Sequence, residues 1–108
     1  MKGKTDNIHP DLLELVYQLE KALGYELTIT SGKRSPDENE KAGGVKGSEH
    51  TYSMAEAVDI GCHSGSARFA IVQKALAMGV VRIGIGKTFI HLGIGKDKPQ
   101  SVMWHYYP

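Results

Sequence analysis

Val80-Val-Arg-Ile-Gly-Ile-Gly-Lys-Thr-Phe-Ile-His-Leu-Gly-Ile94 is the stretch that decides the fold. It holds two β-forming runs, Val80 to Ile85 and Phe89 to Ile94, with Gly86-Lys87 between them. That pattern predicts two strands joined by a hairpin. Side chains alternate along a strand, so Ile90, Leu92 and Ile94 share one face, and Phe89, His91 and Gly93 share the other. His91 therefore points away from the aliphatic face, and Gly93 beside it leaves space. A third run, Val102 to Tyr107, predicts another strand. The link Gly95-Lys-Asp-Lys-Pro99 predicts a second hairpin.

Upstream, the period changes. Leu12, Leu13, Val16, Leu19 and Leu23 recur at helical spacing. Pro10 suits the first helical position, Asp11 and Glu14 favour its N-terminal end, and Gly24 stops it. A helix is expected over about 10–23. Glu26 to Thr30 alternates apolar and polar residues and predicts a short strand. Ser35-Pro36-Asp37-Glu38 carries a cap, a first-turn proline and a capping-box acid, so a short helix is expected to about Ala42. A polar loop over 43–55 leads into Ala57-Val58-Asp59-Ile60, an apolar segment interrupted by one acid. Ser64 or Ser66 then caps a helix ending at Gly79, with Phe69, Ile71, Val72, Ala75, Leu76 and Met78 expected on its buried face. Strands gathered after the helices predict an α+β domain: a small, largely antiparallel sheet with two main helices and one short one.

The 108 residues fit a single domain spanning 1–108. Hydrophobic residues at 41% and charged residues at 23% are ordinary globular values. A formal net charge of +1 gives no basic field for nucleic acid. Cys62 is the single cysteine, which excludes an internal disulfide and reads as a small packing residue. No run approaches the roughly 18 apolar residues of a membrane span, and the N-terminus lacks the apolar core of a signal peptide. A soluble chain made in the cytoplasm is expected.

The chemistry concentrates on three residues. Asp59 lies in an otherwise apolar strand, where a carboxylate is costly unless paired, hydrogen-bonded or metal-bound. His50 sits in the polar loop just upstream, and His91 on the less aliphatic face of its strand. Two imidazoles and a carboxylate with an open fourth position form a catalytic zinc pattern. Taken alone, the same residues also fit a surface His50, a hydrogen-bonded Asp59 and a half-buried His91.

Several segments resemble the zinc D-alanyl-D-alanine carboxypeptidases and their phage endolysin relatives, which share a fold with the hedgehog signalling domain. They are Ile29-Thr-Ser-Gly-Lys-Arg34-Ser35-Pro36; Ser48-Glu-His50 followed by Ala57-Val-Asp59-Ile60; Arg82 to His91; and Asp97-Lys-Pro-Gln100 leading to Trp104. The resemblance runs from about His9 to Tyr106. It implies zinc held by His50, Asp59 and His91, with Arg34 near the cleft to take a substrate carboxylate. Ser48 either touches substrate or braces the His50 loop, and Trp104 either walls the cleft or packs in the core. The implied substrate is a peptidoglycan stem peptide, cut by a carboxypeptidase or endopeptidase at the bacterial cell wall, with phage or prophage delivery among the routes.

The chain departs from the family's pattern in three places. Eight residues, Thr51 to Val58, separate the first His from the Asp, where relatives have six including a Gly. Thr88 stands where many relatives carry an acidic base. Gly93 stands where relatives with this ending often carry Asp. Glu49, Glu56 and His105 are the substitutes for the base. The missing acid also keeps open a domain that binds cell-wall peptide or another protein through the same fold without cutting.

Overall fold

A computed structural model describes residues 1–107. The elements in chain order are β1 (Lys2–Gly3), α1 (Pro10–Leu23), β2 (Thr28–Ser31), α2 (Pro36–Lys41), a 3-10 turn (Glu49–Thr51), β3 (Ala57–Gly61), α3 (Gly65–Ala77), β4 (Arg82–Ile85), β5 (Phe89–Gly93) and β6 (Val102–His105). The architecture is the expected α+β one. The six strands form one sheet in the order β1-β2-β3-β5-β4-β6. Pairings β2–β3, β3–β5 and β4–β5 are antiparallel, while β1–β2 and β4–β6 are parallel.

Local chemistry explains the helices. The His9 ring caps α1 by accepting from the Asp11 amide at 3.1 Å, Pro10 follows, and Gly24 ends the helix in the left-handed conformation with φ of 85°. Ser35 and Glu38 complete a reciprocal capping box on α2. Ser64 caps α3 by accepting from the Ala67 amide.

One face of the sheet carries the core. Val58, Ile60, Ile83, Ile90 and Leu92 are buried against Leu12, Val16 and Leu19 of α1 and Ile71 and Ala75 of α3. The register decides what the opposite face receives. Asp59 lies across from Ser31 on one side and His91 on the other, and His91 lies across from Gly84. The alternation read from the sequence thus places the aliphatic residues inside and the candidate ligands on the other face.

Four expectations need correction. The link after Gly95 is not a hairpin: both edges of β5 are already taken by β3 and β4, so β6 pairs with the free edge of β4, and does so in parallel. Phe69 and Leu76 are exposed rather than buried. They lie two turns apart on the outer side of α3, while Ile71 and Ala75, one turn apart, meet the core. The strand expected over Glu26 to Thr30 runs from Thr28 to Ser31, the Leu27 amide being taken by the Glu20 carboxylate. The terminal strand ends at His105, short of Tyr107. The two-residue β1 had no periodicity to announce it.

Candidate metal centre

β3, β5 and the 3-10 turn bring His50, Asp59 and His91 together. One ligand atom from each lies within 4.8 Å of the other two, and all three residues are buried. Asp59 Oδ1 is the hub, 3.3 Å from His50 Nε2 and 3.1 Å from His91 Nδ1. The extended loop from Thr51 to Val58 does not separate the ligands. Ala55 is fully buried and bridges to Ile8, while Ser53 and Met54 before it are exposed.

Each of the three candidate ligands has an outer partner. His50 Nδ1 donates to the Gly32 carbonyl at 2.7 Å, which leaves Nε2 facing the hub. Ser48 accepts from the His50 amide at 3.2 Å and so braces the turn that carries this ring. Arg34 donates through one terminal nitrogen to Asp59 Oδ2 at 3.1 Å, through Nε to Ser31 at 2.9 Å and through its other terminal nitrogen to Asn39 at 3.3 Å. His91 Nε2 meets Glu49 Oε2 at 2.9 Å. Glu49 is only 2% exposed, and also accepts from Arg82 and from the Gly95 amide.

These contacts set the charge states. Burial alone would push the Asp59 carboxyl up, but hydrogen bonds from His50 and His91 hold it down at about 2. Burial likewise opposes charge on Glu49, and His91, Arg82 and the Gly95 amide overcome it, keeping the carboxyl below its ordinary value. Burial would lower the His91 pKa, and the two facing carboxylates raise it instead. The site therefore favours a positive charge between Asp59 and Glu49. Two imidazole nitrogens and a carboxylate oxygen around one point are a zinc donor set, and the second nitrogen of each imidazole has its own oxygen partner, the arrangement that orients a metal-binding histidine.

The triad opens into a cleft of about 640 Å3. Its lining includes Phe89, Trp104 and Tyr106, whose rings pack on one another, the segment Ala42 to Val45, and Lys98 and Pro99. Trp104 reaches His91, with ring centroids 5.2 Å apart, by lying over Gly84. A Cβ on Gly84 would stand 2.7 Å from the indole nitrogen, so glycine is required there. His105 lines the cleft from the exposed edge strand, and its ring stacks on Tyr107. Glu56 is not part of the lining; its backbone pairs with Glu49 and Ile94. Sequence reasoning missed the roles of Arg82 and Gly95 in holding Glu49. The only signal was an arginine in a strand of apolar residues, itself a buried charge in search of a partner.

No curated protein matches the chain. The family model for Peptidase M15 matches residues 2–93, most of the chain. Peptidases of this family are zinc-dependent, and the buried His50, Asp59 and His91 are placed to bind that ion. With that match and this geometry in agreement, the chain belongs to the Peptidase M15 family.

Proposed function

We propose that this domain hydrolyses an amide bond in the stem peptides of peptidoglycan, as a D-Ala-D-Ala carboxypeptidase or an endopeptidase. The observation that carries the reading is the buried triad at the floor of an open cleft with a basic and aromatic lining. His50, Asp59 and His91 would hold the zinc. When bound, zinc lowers the pKa of a water molecule and polarises the scissile carbonyl. Hydrolysis adds the water's hydroxyl to the carbonyl carbon, breaks the C–N bond and leaves the proton on the departing amine.

The chain's own groups support the rest. Arg34 has N–H groups beyond those spent on Ser31, Asn39 and Asp59, and with Lys98 gives the cleft the charge that a peptide carboxylate requires. Trp104 and Tyr106 offer aromatic surface to the peptide. Of the three substitutes for the base, Glu56 lies off the cleft and both Glu49 oxygens are engaged. His105, on the rim, remains as the group to take the water's proton.

The engagement of both cleft carboxylates, Asp59 and Glu49, favours a second reading, in which the domain binds cell-wall peptide without cutting it. Incubating the zinc-loaded protein with purified peptidoglycan and following the products by mass spectrometry separates the two. Release of D-alanine or of stem-peptide fragments, stopped by a chelator and restored by zinc, is the expected result. Retained zinc with binding to the polymer but no release would select the binding role.

A further inference from the structure

We infer that Glu49 is the positioning residue for the metal ligand His91, supplying from the first histidine's own turn a carboxylate that the strand of His91 lacks. The inference rests on the assignment of His91 as a ligand. Gly93 follows His91 by two residues on the same face of β5, so a side chain there would point beside the imidazole. The space is filled by Glu49. A Cβ built on Gly93 would collide with the Glu49 carboxylate, and one on Gly95 would come 2.7 Å from Glu49 Oε1. The two glycines form a slot filled by a side chain from far upstream, 46 residues before Gly95.

The slot fixes the carboxylate completely. Oε2 meets His91 Nε2 at 2.9 Å, Oε1 accepts the Gly95 amide at 2.9 Å, and Arg82 Nε donates to both oxygens at 3.2 Å. Arg82 is anchored in turn by the Pro99 carbonyl at 2.6 Å and by the Trp104 ring, 5.2 Å from its guanidinium carbon. A carboxylate on one nitrogen of an imidazole fixes the tautomer and ring orientation and strengthens the other nitrogen as a donor. In His91 that other nitrogen is Nδ1, the atom beside Asp59. A carboxylate with both oxygens occupied and 2% exposure has no free edge for a water molecule, so Glu49 acts through His91 rather than on the reacting water.

The test measures zinc affinity by chelator competition and the visible spectrum of the cobalt-substituted protein, with kcat and KM alongside. Glu49→Gln and Glu49→Ala should each weaken zinc binding by about 10- to 100-fold and change the cobalt spectrum. The double variant Glu49→Ala with Gly93→Asp returns a carboxylate to the slot from the other side, and should recover most of the lost affinity. Unchanged affinity and an unchanged cobalt spectrum in Glu49→Gln, with only kcat reduced, would make Glu49 a proton acceptor and overturn the inference. If Glu49→Ala fails to fold because Arg82 is left unpaired, Glu49→Gln alone decides on those same readouts. A double variant that folds but stays weak in zinc would also contradict it. Failure of the underlying assignment looks different: the unsubstituted protein itself would bind no zinc.

Discussion

At the residue scale, the centre is a chain of ion pairs that would be unfavourable in isolation. Asp59 and Glu49 are buried carboxylates, and burying such a charge without partners costs several kcal/mol. His91 lies between them, and Arg34 and Arg82 close the two ends. Arg34 bears most directly on the metal, because it holds the oxygen of Asp59 that faces away from the histidines. Lysine keeps the charge but cannot hold Ser31, Asn39 and Asp59 at once. Arg34→Lys is therefore expected to weaken zinc binding roughly tenfold, the loss of one hydrogen bond to a charged group, as read by chelator competition. An unchanged zinc affinity with a raised KM would place Arg34 on the substrate alone.

At the element scale, the site depends on short pieces held by caps and register. α2 has only six residues, and it carries Asn39, which holds Arg34, and runs into the Gly43 to Val45 wall of the cleft. Ser35→Ala removes its cap and should lower stability by about 1 kcal/mol in a denaturant titration. The Glu38 carboxyl is held below its ordinary value by the Ser35 amide and hydroxyl. A depressed acid contributes above its unfolded pKa and loses that contribution as pH falls through the folded value. Ser35→Ala keeps the backbone amide that chiefly lowers the Glu38 carboxyl, and the lost amide-to-hydroxyl cap does not titrate, so most of the difference between parent and variant should persist in acid. A Ser35→Ala variant as stable as the parent at neutral pH would mean that the cap does not form.

What could be read from the sequence also divides at this scale. The faces of β5 were legible because strand alternation is strict, and so were the caps of α1 and α2 because they are written within a few residues. The pairing of β6 was not legible, since adjacency in sequence suggests a hairpin, whereas the edges of β5 were consumed by β3, a strand about thirty residues upstream. Phe69 and Leu76 were misplaced because α3 is apolar on more than one side and only the sheet decides which side is covered. For the candidate site, the three residues that the fold brings together were visible through their flanking residues. The Glu49 slot was not, because its parts, Glu49, Arg82, Gly93 and Gly95, come from three separate segments and meet only in the folded chain.

At the scale of the whole molecule, one sheet serves two purposes. Its aliphatic face packs on α1 and α3 and stabilises the fold, and its other face holds the triad open to the cleft. The two faces alternate residue by residue along β3 and β5, so the core fixes the relative positions of Asp59 and His91. This rigidity is what a metal centre requires, because its ligands must be held in place before the ion arrives. Zinc binding by this Peptidase M15 domain should depend on His50, Asp59 and His91. Zinc content of the purified protein and of its His91→Ala variant, measured by elemental mass spectrometry, tests it most directly. Stoichiometric zinc is expected in the parent protein, with its loss in the variant while the fold persists; a parent protein without zinc, or a variant that retains it unchanged, would show that these residues do not hold the ion.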